Sequence, residues 1–286
     1  MARVAVVGSY GVGLTFGVQR APAVGETVVG DLFRTDPGGK GSNQAIGAAR
    51  LGAAASILTS IGHDQFGDGA LELWEREGVD ASAVVRVDLP TMVAAILVEA
   101  SGDNRIAIVP GALTALTPAH VVAFADEIAA ADVLLVQLEI PVETAHRALA
   151  VGREAGVRTI LNPAPAPPQP LPAEMVALVD YATPNETEAR AIAAGKPGTI
   201  VITMGADGAR VADEHIRAFP ARTVDTTGAG DAFNAAFAVA LAAGLPDAEA
   251  VRWGCAAGAH MVEHAGVVPG LPTRTEFEER LEARVA

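Results

Sequence analysis

Short aliphatic, β-branched runs alternate along this chain with Ala-rich stretches of helical spacing, and most of the helical stretches stop at a glycine. Residues 4–7 (VAVV) read as a strand ending at Gly8. Residues 42–51 carry Ala and Leu at helical spacing up to Gly52, residues 55–61 form the next strand, and residues 66–77 a helix stopped by Gly78. Residues 133–138, 159–161 and 200–203 are further apolar strands, and residues 120–130, 142–155 and 229–243 read as helices. Gly156 and Gly244 stand where a helix end takes a left-handed residue. Strands that are apolar throughout, not in alternation, are covered on both faces. The pattern therefore predicts an α/β fold with a mostly parallel sheet and helices on both sides.

Two segments break this rhythm. Residues 26–34 (ETVVGDLFR) and 91–109 have strand character with no helix between. Within the second, residues 93–99 and 105–109 flank the turn Ser101-Gly102-Asp103. These segments predict a small β-strand lid contributed by about residues 10–36 and 88–110 of one domain spanning 1–286. The Pro-rich stretch 162–172 (NPAPAPPQPLP) reads as a rigid loop after a strand. Charge narrows the partners. Thirty-four acids against 20 bases, with Lys40 and Lys196 the only lysines, leave no basic surface for nucleic acid. The apolar run 133–140 is interrupted by Gln137 and Glu139 and is too short to span a bilayer. Residues 1–7 lack the pattern of a secretory signal, and Cys255 is the single cysteine. The expected setting is cytoplasmic, with a small ligand.

Asp225-Thr226-Thr227-Gly228-Ala229-Gly230-Asp231 opens an Ala-rich helix. Glycines there free backbone N–H groups to converge on an anion. A carboxylate beside that anion suits a proton acceptor next to a phosphoryl group in transfer. A plain helix cap needs fewer of these residues. Pro37-Gly38-Gly39-Lys40-Gly41-Ser42-Asn43 also opens a helix but is no Walker loop, because Gly41 follows the lysine. Lys40 and Asn43 there suit the hydroxyls of a polar ligand, although a simple Gly-rich turn fits equally. Asn185-Glu186-Thr187-Glu188 could hold hydrated Mg²⁺ or merely start a helix. Glu139 ends a strand, where open α/β sheets place ligands. Two rival patterns are weak. Gly8-Ser9-Tyr10-Gly11-Val12-Gly13 lacks the helix that a dinucleotide fingerprint needs. His260-Met261-Val262-Glu263-His264 matches a zinc pattern, but an Ala-rich core helix accounts for it more simply.

Taken in order, the glycine motifs resemble those of the ribokinase/PfkB family of carbohydrate kinases. Residues 38–45 (GGKGSNQA) and 225–234 (DTTGAGDAFN) carry the resemblance, with 22–30, 137–139, 162–166, 183–188 and 202–205 between them, so it spans nearly the whole chain. The resemblance implies a ribokinase-like fold and transfer of the γ-phosphoryl of ATP to a sugar hydroxyl. It makes Asp231 the base and the N–H groups of Gly228, Ala229 and Gly230 the anion hole. Gly11, Gly13, Gly39, Lys40, Asn43 and Glu139, with Asp231, fall at the sugar. Asn185, Thr203, Gly205, Gly208 and Gly230 fall at the nucleotide, and Glu188 at Mg²⁺ through water. Asp225, Thr227, Met261, His264, Gly266 and Gly270 match a loop that binds K⁺. A homodimer through the lid is a further implication.

Three departures stand out. Ribokinases carry Asn and Asp where Gly11 and Gly13 stand, so the expected sugar is another small sugar or polyol that fills the vacated space, the alternative being that a lid residue such as Asn104 or Arg105 replaces the lost contacts and ribose remains the substrate. The stretch 188–200 is short by one peripheral helix, and Gly270 replaces a small hydroxyl residue. Two other readings stay open: a nucleoside kinase with Tyr10 and Phe16 at the base, and a non-catalytic sugar sensor on the same fold.

Overall fold

The apolar runs lie side by side in the centre of the molecule, as the computed structural model shows for residues 1–283. Among the described residues, nine strands form the main sheet in the spatial order Glu214–Ile216, Ala209–Val211, Thr199–Thr203, Tyr181–Ala182, Arg158–Asn162, Val133–Gln137, Arg3–Val7, Ala54–Leu58 and Val79–Asp80. All pairings from Thr199–Thr203 to Val79–Asp80 are parallel, and the two strands beyond Thr199–Thr203 are antiparallel. The central strand explains the unbroken hydrophobicity. Val4 and Val6 face a core that contains Ile46, Trp74, Phe237 and Phe277, while Ala5 and Val7 face another with Phe124, Leu149 and Met175. Both faces are dry, so alternation would leave polar groups stranded. Gly78, Gly156 and Gly244 adopt φ of 71°, 71° and 78° at helix ends, as their positions predict.

Three elements differ from the sequence reading by more than a residue or two at their ends. Residues 55–61 divide at Thr59: Ala54–Leu58 belongs to the main sheet, whereas Ser60–Gly62 pairs with Val85–Val87. Residues 120–130 divide at Phe124, whose ring is buried in the second core, giving the helices Pro118–Ala123 and Ala125–Ala129. The strand placed at 26–34 runs from Gly30 to Gly38 instead. Glu26 is held by Arg20 and by the Ala23 N–H at 2.9 Å, which closes a turn ahead of the strand.

A second sheet, in the order Gly30–Gly38, Gly11–Val18, Met92–Glu99, Asn104–Val109, forms the lid. Its register fixes which side chains share a face. Gly13 stands opposite Asp36 and Ala94, and Thr15 opposite Arg34 and Ile96. Phe16 stands opposite Phe33 and Leu97 on the other face. Phe16, Leu32, Phe33, Ile106, Ile108 and Val109 are all exposed. No helix among the described residues is long and apolar enough to cross a membrane.

Candidate active site

The site lies at the carboxyl ends of the parallel strands, where chain leaves the sheet for the helices. Strand Arg3–Val7 continues into Ser9 and Tyr10, and helix Lys40–Arg50 starts against them. The approach requires glycine: a Cβ at Gly39 (φ 89°) would lie 2.6 Å from Tyr10 Cα, and one at Gly41 2.5 Å from Ser9 N. The Ser42 N–H then donates to the Ser9 carbonyl at 2.8 Å. Glu139 accepts from the Lys40 N–H at 2.9 Å and from the Ser9 hydroxyl.

One turn further along this helix, Asn43 and Gln44 reach Asp231. Asn43 Nδ2 donates to one carboxylate oxygen at 2.8 Å and Gln44 Nε2 to the other at 3.0 Å. Gln44 is itself fixed by Gln137, whose Nε2 donates to its Oε1 at 2.6 Å, and Gln44 also donates to Asn162 Oδ1 at 3.2 Å. Asp231 is therefore held at both oxygens by amides, one of which, Gln44, is anchored in the sheet. The Asn43 Oδ1 is buried with no hydrogen-bond partner among the described residues. An unpaired buried acceptor on a side chain bound to Asp231 fits a ligand hydroxyl, since leaving it unmade is costly.

Asp231 sits in the first turn of helix Ala229–Ala242. Gly228 precedes this helix at φ 82°, and the first-turn N–H groups have no intrahelical acceptor. Asn234 clamps the turn, donating to the Gly230 carbonyl at 2.8 Å and accepting from the Thr183 hydroxyl at 2.6 Å. Lys40, Asn185, Glu188, Thr203, Gly228 and Asp231 line a cleft of about 230 Å³. Burial acts to lower the Lys40 pKa, but Asp231, Glu139 and Glu188 outweigh it and hold the ammonium above its usual value. Burial raises the Glu188 carboxyl, against a hydrogen bond from the Asn185 N–H and the charge of Lys40. The cleft thus combines one cation, two carboxylates and a helix N-terminus, an arrangement suited to deprotonating a hydroxyl beside a phosphoryl group.

The remaining predicted residues fall in three places. Asn185 and Glu188 grip one another: the Asn185 N–H donates to Glu188 at 3.0 Å and the Glu188 N–H to Asn185 Oδ1 at 2.8 Å. Gly205 is open on all sides, whereas a Cβ at Gly208 would lie 2.1 Å from the Ile216 carbonyl oxygen, so Gly208 has a packing reason of its own. Asp225, Thr227, Met261, His264, Gly266 and Gly270 do converge. The Asp225 N–H donates to the Val262 carbonyl at 3.2 Å and Asp225 Oδ1 accepts from the Thr227 N–H at 2.9 Å. A Cβ on Gly270 would lie 2.5 Å from Met261 Cε and 3.1 Å from His264 Cβ. Burial acts to raise the Asp225 pKa, but N–H donors of Thr227 and Gly266, the Thr227 hydroxyl and the charge of Arg34 hold it low. An ionised carboxylate at this loop suits a hard cation. His260 and His264 stack at 4.5 Å, Glu263 is engaged by Arg280, and no group of three or more metal-ligating side chains occurs among the described residues.

Several expectations about the sugar end need correction. Gly11 leaves no vacancy, because a Cβ there would lie 2.2 Å from Met92 Cε. Gly13 does leave one, with the nearest atom, Ile96 Cδ1, at 3.4 Å. Tyr10 does not face the ligand: its ring packs edge-on against Trp74 at 5.1 Å, and burial pushes its hydroxyl up to about 12. Phe16 pairs with Phe33 on the far face of the lid, so neither aromatic offers a base pocket. Gln44, Gln137 and Asn162 are the contributors that motif reading left without a role. The available signal was the placement of Gln137 and Asn162 at the ends of strands that are otherwise apolar. A larger cleft of about 640 Å³ opens at the opposite, amino ends of the strands, where Arg153 already pairs with Asp180 at 2.6 Å.

Comparison with known proteins agrees with the fold. Residues 1–274 match the model of the pfkB family carbohydrate kinases. The ribokinase of Bacillus subtilis (strain 168) is 39% identical over 98% of this chain and 100% of its own length. A deoxyribokinase of Salmonella typhi is 34% identical over 82% of this chain and 84% of its own. The solved structure of Arabidopsis thaliana ribokinase complexed with ribose and ATP superimposes with a TM-score of 0.91, at 30% identity and 99% coverage of both chains.

Proposed function

The chain belongs to the pfkB family of carbohydrate kinases, a family of ATP-dependent phosphotransferases, and on that premise we propose that it phosphorylates a hydroxyl of a small neutral sugar or polyol with Asp231 as general base. The observation that carries this reading is the double clamp of Asp231 by Asn43 and Gln44 at the foot of the Gly228–Gly230 turn. A carboxylate fixed at both oxygens can accept a proton without reorganising. Gly228, Ala229 and Gly230 supply N–H groups to the transferring phosphoryl, which carries its charge on peripheral oxygens. Lys40 neutralises charge at the same place. Asn43 Oδ1, Glu139 and the backbone at Gly39 take the sugar hydroxyls.

Asn185 and Glu188 would position the hydrated Mg²⁺ of the nucleotide, with Thr203, Gly205 and Gly208 beside the nucleotide itself. The metal would shield phosphate charge. Asp225 and backbone carbonyls of the 261–270 loop would hold K⁺ and steady the Gly228 turn. The exposed apolar residues on the far face of the lid, Phe16 and Phe33, support a homodimer through that sheet. Gly11 and Gly13 present no side chain, so D-ribose is expected to be a poor substrate. Steady-state ADP release across pentoses, deoxypentoses, hexoses and polyols tests the reading. At least one should be turned over with kcat/KM above that for ribose. No turnover of any sugar by folded protein with Mg²⁺, K⁺ and ATP would overturn it.

A further inference from the structure

We propose that Arg34 and Asp36, on the site-facing surface of the lid, read adjacent hydroxyls of the sugar and set which sugar is accepted. The inference rests on the sugar-kinase reading above. Its ground is the direction of side chains along the chain that enters the lid. Ser9 points inward, donating to Glu139, and Tyr10 points outward onto Trp74. Alternation then carries Gly11, Gly13 and Thr15 on the inward side. Asp36 is the cross-strand partner of Gly13, and Arg34 that of Thr15. The position of Arg34 is independently marked, since its charge acts on Asp225 beside the Gly228 turn.

The rest of that face offers little polarity. Ala94, Ile96, Ile106 and Ile108 share it, Asn104 is its other polar side chain and stands opposite Val98, two pairs along the lid from Ala94, Gly11 and Gly13 lack side chains, and Thr15 is buried. Arg34 Nε and Asp36 Oδ2 lie 2.5 Å apart, with side chains 47% and 33% exposed, so both retain free donor and acceptor positions. Such a pair presents N–H donors next to carboxylate acceptors, which matches neighbouring hydroxyls that must both donate and accept. It is electrically neutral as a unit, and the floor below it holds Asp231, Glu139 and Glu188 against Lys40. A neutral diol is therefore favoured over a sugar acid.

The test uses the sugar with the highest kcat/KM in the panel. Asp36→Ala should raise its KM about 10- to 100-fold, the range for losing a charge-assisted hydrogen bond, with the KM for ATP within about twofold of wild type. Gly13→Asp added to Asp36→Ala returns a carboxylate from the neighbouring strand and should recover part of that loss. Arg34→Gln should change the rank order of sugars. A salt bridge that only trims a sheet edge would give none of these. Should Asp36→Ala fail to fold, Asp36→Asn carries the same comparison. Unchanged sugar KM and rank order in folded Asp36 and Arg34 variants would overturn the inference alone. Absence of turnover by wild type would overturn it together with the proposed function.

Discussion

Replacing Gly228 by Ala separates a backbone requirement from a catalytic one. At φ 82° an L-residue is strained, and the added Cβ would lie 2.6 Å from Val267 Cγ1 and 3.4 Å from Met261 Cε. The left-handed conformation costs about 1–2 kcal/mol and overpacking about 1–3 kcal/mol, so the variant should lose about 2–5 kcal/mol. Unfolding entropy of about 2.1 cal/mol/K per residue turns this into a fall of about 3–8 °C in Tm. Relief of either strain tilts the N–H groups of the turn, and kcat should fall by about 10²–10³, the effect of losing one donor to a developing oxyanion. Differential scanning calorimetry and saturating steady-state assays read the two effects. Val267→Ala in the same chain removes the closer clash and should recover part of the Tm, leaving the conformational cost. A kcat within threefold of wild type, in protein that shows the Tm loss, would refute the role given to the turn.

Two further outcomes follow from the same geometry. Activity in K⁺ should exceed that in Na⁺ at equal ionic strength, and Asp225→Ala should abolish the difference; equal rates in K⁺-free Na⁺ would show that the loop only caps the turn. His260 is held below its usual pKa, by burial first and by His264 second. The unfolded chain therefore binds more protons between the folded and ordinary histidine values, so stability is fully present above about pH 6.5 and declines as pH falls below it. His260→Gln should flatten that decline in Tm between pH 7 and 5, and an unchanged slope would contradict the assignment.

Much of this architecture was legible because local physics agreed with the tertiary outcome. Gly78, Gly156 and Gly244 mark helix ends in sequence and in space, and Val4–Val7 is apolar throughout because both sheet faces are covered. What was missed depends on pairing across long separations. Thr59 divides two strands because its carbonyl accepts from the Val85 N–H at 2.9 Å, a contact with no local signature. The clamp on Asp231 joins residues 187 and 188 positions apart. Gln44 and Gln137 looked like neighbours of the motifs, and only packing shows that they hold the carboxylate. Tyr10 was misassigned for a simpler reason. In extended chain, successive residues face opposite ways, so an inward Ser9 commits Tyr10 to the core. The same alternation places Asp36 opposite Gly13, once the strand is moved from 26–34 to Gly30–Gly38.

The most direct test is Asp231→Asn. Both carboxylate oxygens accept from amides, so the new Nδ2 would face a donor; turning Asn43 to offer its unpartnered Oδ1 relieves the conflict and presents Asn43 Nδ2 to the sugar hydroxyl in its place, which can accept as well as donate. The fold and both binding sites should therefore survive, as calorimetric titration with sugar and with a non-hydrolysable ATP analogue would show. With proton acceptance removed, kcat should fall by about 10²–10⁴. Folded Asp231→Asn protein that binds both ligands and turns over at near wild-type kcat would contradict the account.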